Sequence, residues 1–232
     1  MLDPLPSAPS PVFVRSPRLT GPRVFVRSTA FIDAGTAQAP PHLARAAVRR
    51  IAEYVAGRRC AEQALRDAGC AGKCHVGVAE DRAPIWPEGF VGSITHTSRF
   101  ASAAVARTRD LRGVGIDSEL VLEERVMLET TPLTLVASEL RMLGRERARE
   151  TATVVFSAKE SLYKCLGPLV GTMFDFLDAE IQVSKEAIVR GAGVFRARLL
   201  SDLPNGFARG FALDGAFGIE GGHVHTALEL PR

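Results

Sequence analysis

Phe156-Ser-Ala-Lys159-Glu160-Ser-Leu-Tyr163-Lys164 is the stretch on which the reading of this chain turns. Ser157 stands three residues before Glu160, and Leu162 and Tyr163 follow. That pattern predicts a helix starting at Ser157 with a capping box. Glu160 and Lys164 are four apart, so they share a helical face. Read alone, Glu160 reaches back to cap Ser157 and Lys164 is its ion-pair partner. The alternative is that an acid and a base on one turn serve a phosphate or metal centre. The rest of the chain has to decide between the two.

The chain has 232 residues, 46% apolar and 24% charged, which suits a soluble globular protein with a sizeable core. A net charge of +3 gives no bulk electrostatic case for a nucleic-acid partner. The charge is unevenly spread. Arg45, Arg49, Arg50, Arg58 and Arg59 crowd together early, while Asp117, Glu119, Glu123 and Glu124 cluster later. A basic early segment and an acidic later one suit an anionic ligand held beside a metal ion. Cys60, Cys70, Cys74 and Cys165 follow no zinc spacing, although His75 adjoins Cys74. Reduced thiols are expected. No apolar run approaches the ~18 residues of a membrane helix, and the N-terminus has no signal-peptide core, so a cytoplasmic protein with no membrane partner is expected.

Outward from the opening stretch, the other segments fall into place. Residues 1–22 are proline-rich and are expected to form a loose arm. Val24-Phe-Val reads as a strand and 41–68 as a helix, with Gly57 marking a break or a close contact. Arg50 and Arg58 lie about two turns apart on that helix, so they point one way. They form either a solvated basic face or a phosphate site, since guanidinium forks bind phosphate oxygens in pairs. Val91-Gly-Ser-Ile-Thr95-His96-Thr97 reads as a loop of small and hydroxyl residues able to approach an anion, with His96 as a donor or a structural histidine. Val114-Gly-Ile-Asp117-Ser-Glu119 reads as a strand that aims Asp117 and Glu119 to one side. Two such carboxylates repel unless a cation sits between them, and oxygen-only ligands suit magnesium. The alternative is a strand end emerging into solvent. Residues 121–150 read as two helices broken at Thr130-Thr131-Pro132. Beyond Gly167-Pro168, strands are predicted at Glu180–Val183, Gly193–Leu199, Gly206–Leu213 and His223–Leu230, forming an antiparallel sheet with helices packed on it.

Three segments in this order resemble the 4′-phosphopantetheinyl transferases, in the subgroup acting on carrier proteins of siderophore, polyketide and nonribosomal peptide synthesis. They are Gly92-Ser-Ile-Thr-His96, Gly113-Val-Gly-Ile-Asp117-Ser-Glu119 and Phe156-Ser-Ala-Lys-Glu160-Ser-Leu-Tyr-Lys164. The Arg50–Arg58 segment and Pro84-Ile-Trp-Pro87 add to the likeness, which spans about residues 45–165. The resemblance implies that the phosphopantetheine arm of coenzyme A moves to a serine of an acyl or peptidyl carrier protein, leaving 3′,5′-ADP. By the same resemblance, Asp117, Glu119 and Glu160 would hold Mg2+ (Mn2+ as the alternative) against the pyrophosphate. Glu160 would take the serine proton, Lys164 would stabilise the leaving group, and Thr95 and His96 would contact the pyrophosphate. Arg50 and Arg58 would hold the 3′-phosphate.

Many relatives carry a lysine where Val78 and Glu80 stand here, and Arg82 is the nearby base that substitutes. Ser118, between the two acids, removes no ligand. The implied fold is α+β: two similar halves in pseudo-twofold arrangement, 23–108 and 109–232, with the site in the cleft between them. A monomer is expected, with the carrier received on a patch at 120–150. Two other classes remain open: a non-catalytic coenzyme A or nucleotide-binding module, and a structural or regulatory protein in which the acids are merely solvated.

Overall fold

A computed structural model describes residues 19–30, 43, 46–80, 82–98 and 100–232. Strand β1 (Phe25–Ala30) and helix α1 (Val48–Asp67) come first. Short strands β2 (Gly77–Val78) and β3 (Pro84–Ile85) follow, then β4 (Phe90–His96) and β5 (Phe100–Arg107). Strands β1, β5 and β4 form an antiparallel sheet in that order. Helix α1 packs Cys60, Ala61, Ala64 and Leu65 onto Ala103 and Val105 of β5. It runs unbroken through Gly57, where an added Cβ would stand 2.8 Å from Ile94, so that glycine marks a close contact. The helix begins at Val48, later than the predicted 41, and residues 41–42 and 44–45 lie outside the described residues.

The proline-rich arm falls mostly outside the described residues too. Its last part is not loose: Leu19 packs with Val24 and Ala104, and the Gly21 N–H donates to the Glu229 carboxylate. The segment around His96 is a strand rather than a loop. It pairs with Ala101–Arg107 along one edge, which takes up the backbone groups on that side.

The turn at 108–110 leads into β6 (Leu111–Leu120), α2 (Glu124–Thr134), α3 (Ala137–Met142) and α4 (Ala148–Val170). A 3-10 turn at Phe176–Asp178 precedes β7 (Ala179–Val183), α5 (Lys185–Arg190), β8 (Ala192–Leu199), β9 (Ala212–Glu220) and β10 (His223–Pro231). The second sheet is antiparallel in the order β6-β10-β9-β8-β7. Helix α4 lays Val155, Ala158, Leu162 and Leu166 on Ile181, Phe195, Phe217 and Leu228 in the larger core. Each sheet therefore carries one long helix, and the molecule is an α+β protein.

Four local expectations change. Helix α4 begins nine residues before Ser157, because Val154 and Val155 are fully buried in the core and packing overrides their weak helix propensity. Ser157 therefore caps nothing. Pro132 lies inside α2, in its last turn, and the break comes at Leu135-Val136. Residues 206–211 form a turn rather than a strand, and β9 starts only at Ala212. Helix α5 was missed although Ser184 caps it, accepting from the Ala187 N–H at 3.1 Å, and Gly191 ends it with φ 78°.

Two details of the second half bear on the site. Gly113 and Gly115 on β6 let α4 come down onto the strand. A Cβ at 115 would stand 1.9 Å from the Ser161 carbonyl oxygen, and one at 113 would stand 2.6 Å from that of Cys165. Behind this contact, Lys159 and Glu139 form a buried ion pair at 2.7 Å. The Lys159 ammonium also donates to the carbonyls of Thr134 and Phe176, at 2.8 and 2.9 Å. Glu139 accepts from the Val136 and Ile181 N–H groups at 2.7 and 2.6 Å. Every strong donor and acceptor in this knot is used, so the α2–α3 elbow and the 3-10 turn are fixed around α4.

Candidate active site

A cleft of about 900 Å³ opens between the two sheets. Its walls bring together Arg50, Arg58 and Arg82 with Thr95 and His96, and Asp117 and Glu119 with Glu160 and Lys164. The nine residues expected at the site therefore line one cleft.

The acidic wall comes from β6 and α4. Asp117 is almost fully buried, and its two oxygens have different partners. Oδ1 accepts from Lys164 Nζ at 2.6 Å and from the Thr95 hydroxyl at 3.3 Å. Oδ2 accepts from the Ser157 hydroxyl at 2.8 Å. Lys164 thus pairs with Asp117, not with Glu160 one turn earlier. Burial works against the Lys164 ammonium, but Asp117, then Glu160 and Glu119, hold its pKa above the ordinary lysine value. Glu119 is pushed up to about 7, first by burial and then by Asp117 and Glu160, with Lys164 opposing. Glu160 is raised as well, mainly by burial, with Lys164 opposing and Asp117 adding to the rise. These are like charges crowded into a poorly solvated place.

The basic wall comes from α1. Arg50 Nη1 donates to His96 Nε2 at 2.9 Å, and since a guanidinium only donates, that ring nitrogen carries no proton. Burial lowers the His96 pKa, Glu53 and Asp117 opposing and Arg50 and Lys164 adding to the fall. His96 is therefore a neutral acceptor here rather than the protonated donor that was one expectation. Arg58 stacks on the Tyr54 ring at 5.0 Å. Its Nη1 is buried with no hydrogen-bond partner among the described residues. A buried, unspent guanidinium N–H beside a cleft is what an anion site requires. Arg82 is exposed on the rim, in the turn between β2 and β3, with φ 70°.

Residues 38–106 match the family described as the 4′-phosphopantetheinyl transferase N-terminal domain, and residues 113–201 match the 4′-phosphopantetheinyl transferase superfamily. The 4′-phosphopantetheinyl transferase Svp of Streptomyces mobaraensis is 39% identical over 181 residues, 75% of this chain and 68% of that one. The transferase Npt of Nocardia iowensis is 31% identical over 192 residues, 80% and 85%. The chain belongs to the 4′-phosphopantetheinyl transferase superfamily. It is a transferase that moves the phosphopantetheine of coenzyme A onto carrier proteins. Enterobactin synthase component D of Salmonella typhi is also similar, 35% identical over 146 residues, 61% of this chain and 59% of that protein.

For this phosphopantetheinyl transferase, two structural details were not legible in the motifs. Glu53 is buried behind Arg50 and His96, with carboxylate contacts of 3.0 Å to Arg49, 3.6 Å to Arg50 and 3.7 Å to His96. Its place three and four residues after the two arginines was the signal available. Thr95 spends its hydroxyl on the seam between the sheets. It accepts from the Ser118 N–H at 3.0 Å and donates to Asp117, while Ser93 makes the matching pair with the N–H and carbonyl of Ile116 at 3.0 and 3.4 Å. Its hydroxyl is therefore used at that seam, while the residue still lines the cleft.

Among the described residues, no three acidic, imidazole or thiol groups are gathered as a ready-made ion site. The Lys164 ammonium lies against Asp117 where a cation's charge would act. The donor set nevertheless fits a hard divalent ion: Asp117, Glu119 and Glu160 are all carboxylates, all border the cleft, and two have raised pKa values that a cation would lower. No helix among the described residues is long and apolar enough to cross a membrane.

Proposed function

We propose that this transferase works with Mg2+, or Mn2+ in its place, held by Asp117, Glu119 and Glu160, and that Arg50 and Arg58 bind the 3′-phosphate of coenzyme A. The single observation that carries this is that three carboxylates from β6 and α4 line the same cleft as the unspent Arg58 N–H. The ion would supply charge neutralisation for the pyrophosphate and the phosphoryl group in transfer.

The chain's own residues do the remaining work. The carrier serine oxygen forms a bond to the phosphorus that bears pantetheine. The pyrophosphate P–O bond breaks, and 3′,5′-ADP leaves with the electron pair. Glu160 lines the cleft on the same wall as Asp117 and Lys164 and is suited to take the serine proton. Lys164 neutralises Asp117 while the site waits. Were a cation to share that carboxylate, the flexible ammonium would be available to the leaving phosphate. Arg82 stands on the rim where it can contact phosphate oxygens, and His96 would do so as a donor only by taking a proton on Nε2 in place of its bond from Arg50. The working unit is read as a monomer.

The carrier is read as an acyl or peptidyl carrier of siderophore, polyketide or nonribosomal peptide synthesis, as the name of the enterobactin synthase relative suggests. Leu128 and Leu133 on α2 and Leu140 on α3 are exposed, and Arg125 and Arg141 flank them. The exposed leucines form an apolar face that suits a helical partner, with Arg141 open to an acidic residue of it and Arg125 already paired with Glu129. Coenzyme A, the carrier and four unpaired thiols are all in keeping with the cytoplasm. The test is to incubate the protein with coenzyme A, Mg2+ and a panel of apo carriers and weigh the carriers. The expected result is a gain equal to the phosphopantetheine arm on at least one carrier, lost with chelator. No gain on any carrier would return the chain to the binding-module reading.

A further inference from the structure

Helix α4 uses its hydroxyl residues in two different ways. Thr151 and Thr153 turn back to the carbonyls of Arg147 and Arg149, at 2.8 and 2.6 Å, as mid-helix threonines commonly do. Ser157 and Ser161 reach off the helix instead. Ser157 Oγ lies 2.8 Å from Asp117 Oδ2 and 2.9 Å from Thr226 Oγ1, and Ser161 Oγ lies 2.6 Å from Thr226 Oγ1. All three hydroxyl residues are fully buried.

Each hydroxyl has one proton to give. An ionised carboxylate only accepts, so the Ser157 proton goes to Asp117 Oδ2. That leaves the Ser157 lone pairs to accept from Thr226, and those of Thr226 to accept from Ser161. The backbone carbonyls of Ser157 and Thr226, at 2.9 and 3.3 Å, compete for the two outer protons but cannot reverse the first bond. A chain of hydroxyls polarised one way strengthens its last link. On the other side of the carboxylate, Oδ1 meets Lys164 and Thr95 at the cleft. One oxygen of Asp117 is thus committed to the hydroxyl chain, and the other, also buried, faces Lys164 on the side where the cleft lies.

We propose that Ser157 is a positioning residue for the transfer. Its hydroxyl, backed by Thr226 and Ser161, pins Asp117 Oδ2 so that Oδ1 is the oxygen offered to the divalent ion. This rests on the reading of Asp117 as a metal ligand. Alanine is a better helix former than serine, so what Ser157 contributes lies in what its hydroxyl bonds.

The test uses the full chain without coenzyme A or carrier, titrated with Mn2+ and followed by the electron spin resonance of the free ion. Ser157→Ala is expected to weaken Mn2+ binding about 10–100-fold, the usual cost of removing a group that orients a ligand. Ser157→Thr keeps the hydroxyl and restores most of the affinity. Coenzyme A binding in chelator stays at the wild-type value in both variants, and in turnover Ser157→Ala lowers kcat while leaving the KM for coenzyme A in place. Thr226→Val removes the backing hydroxyl without touching Ser157 and gives a smaller loss. Should Ser157→Ala fail to fold, Thr226→Val carries the test, and wild-type Mn2+ affinity there overturns the proposal. Asp117→Asn separates the two layers. If it loses the ion while Ser157→Ala keeps it, the proposal falls and the metal assignment stands. If both keep the ion, both fall.

Discussion

Gly115→Ala is the substitution that tests how the site is built. The backbone at 115 is not in the left-handed region, so alanine meets no conformational objection there. The objection is contact alone. The new Cβ would stand 1.9 Å from the Ser161 carbonyl oxygen and 2.9 Å from Cys165 N, both backbone atoms of α4. Real Cβ contacts essentially never fall under 3.0 Å, so helix and strand must separate by about 1 Å locally. Overpacking of this kind costs about 1–3 kcal/mol. The loss of chain entropy in the unfolded state returns roughly 0.4–1 kcal/mol, so a net loss of about 1–2 kcal/mol is expected.

The larger effect is on chemistry. Ser161, Glu160 and Lys164 belong to the same turn, and Lys164 meets Asp117 at 2.6 Å across this contact. A misplacement of about 1 Å commonly costs about 100-fold in rate. The assay pairs urea unfolding, read at constant m-value, with the kcat of arm transfer. Coenzyme A binding in chelator should hold near wild type, because Arg50 and Arg58 stand on α1, away from the contact. Gly144→Ala is the control, since an added Cβ there finds its nearest atom at 4.0 Å. If Gly115→Ala kept wild-type stability and wild-type turnover, the claim that this glycine seats α4 on β6 would be wrong.

Three further outcomes are expected. Glu160→Gln keeps the side chain's size and should leave the melting temperature near wild type, while transfer falls by about 10²–10⁴-fold, the range for losing a general base; near-normal mass gain on the carrier would remove Glu160 from that role. Arg58→Ala should weaken coenzyme A about 10–100-fold by calorimetry, as hydrogen bonds to a charged group imply, and weaken an analogue lacking the 3′-phosphate far less; equal losses for both ligands would move the 3′-phosphate elsewhere. His225 is fully buried with its Nδ1 2.9 Å from Ser118 Oγ, and burial, then His223, pushes its pKa down from 6.5 to about 4, Asp117 opposing. The folded state therefore refuses a proton that the unfolded state takes, so stability is complete above pH 6.5 and is lost as pH falls toward 4. At ~1.4 kcal/mol for each tenfold in proton affinity this amounts to about 3 kcal/mol, and His225→Gln should flatten the wild-type slope of unfolding free energy between those pH values by that much.

Much of the fold and the site was legible because short-range periodicities carry it. A strand period puts Asp117 and Glu119 on one side, and a helix period puts Arg50 and Arg58 on another, with no knowledge of the partner surfaces. What was not legible depended on which surfaces meet. Ser157 looked like a cap because Ser-x-x-Glu is a cap wherever a helix starts, and the start was hidden in Thr151–Phe156, whose β-branched residues look unhelical until the core claims them. Lys164 looked like the partner of Glu160 because they are four apart. It turns to Asp117 because Gly113 and Gly115 let α4 come down onto β6, and no spacing rule ties residue 115 to residue 161. The glycines were visible all along, but as motif letters rather than as clearance. The same holds for Thr95: one strand residue was read for its reach toward a ligand, when the missing backbone ladder between β4 and β6 meant that its hydroxyl was needed to join them. Acidic and basic residues could be assigned to the site by type. The hydroxyls and glycines that aim them act only through a register that the packed structure sets.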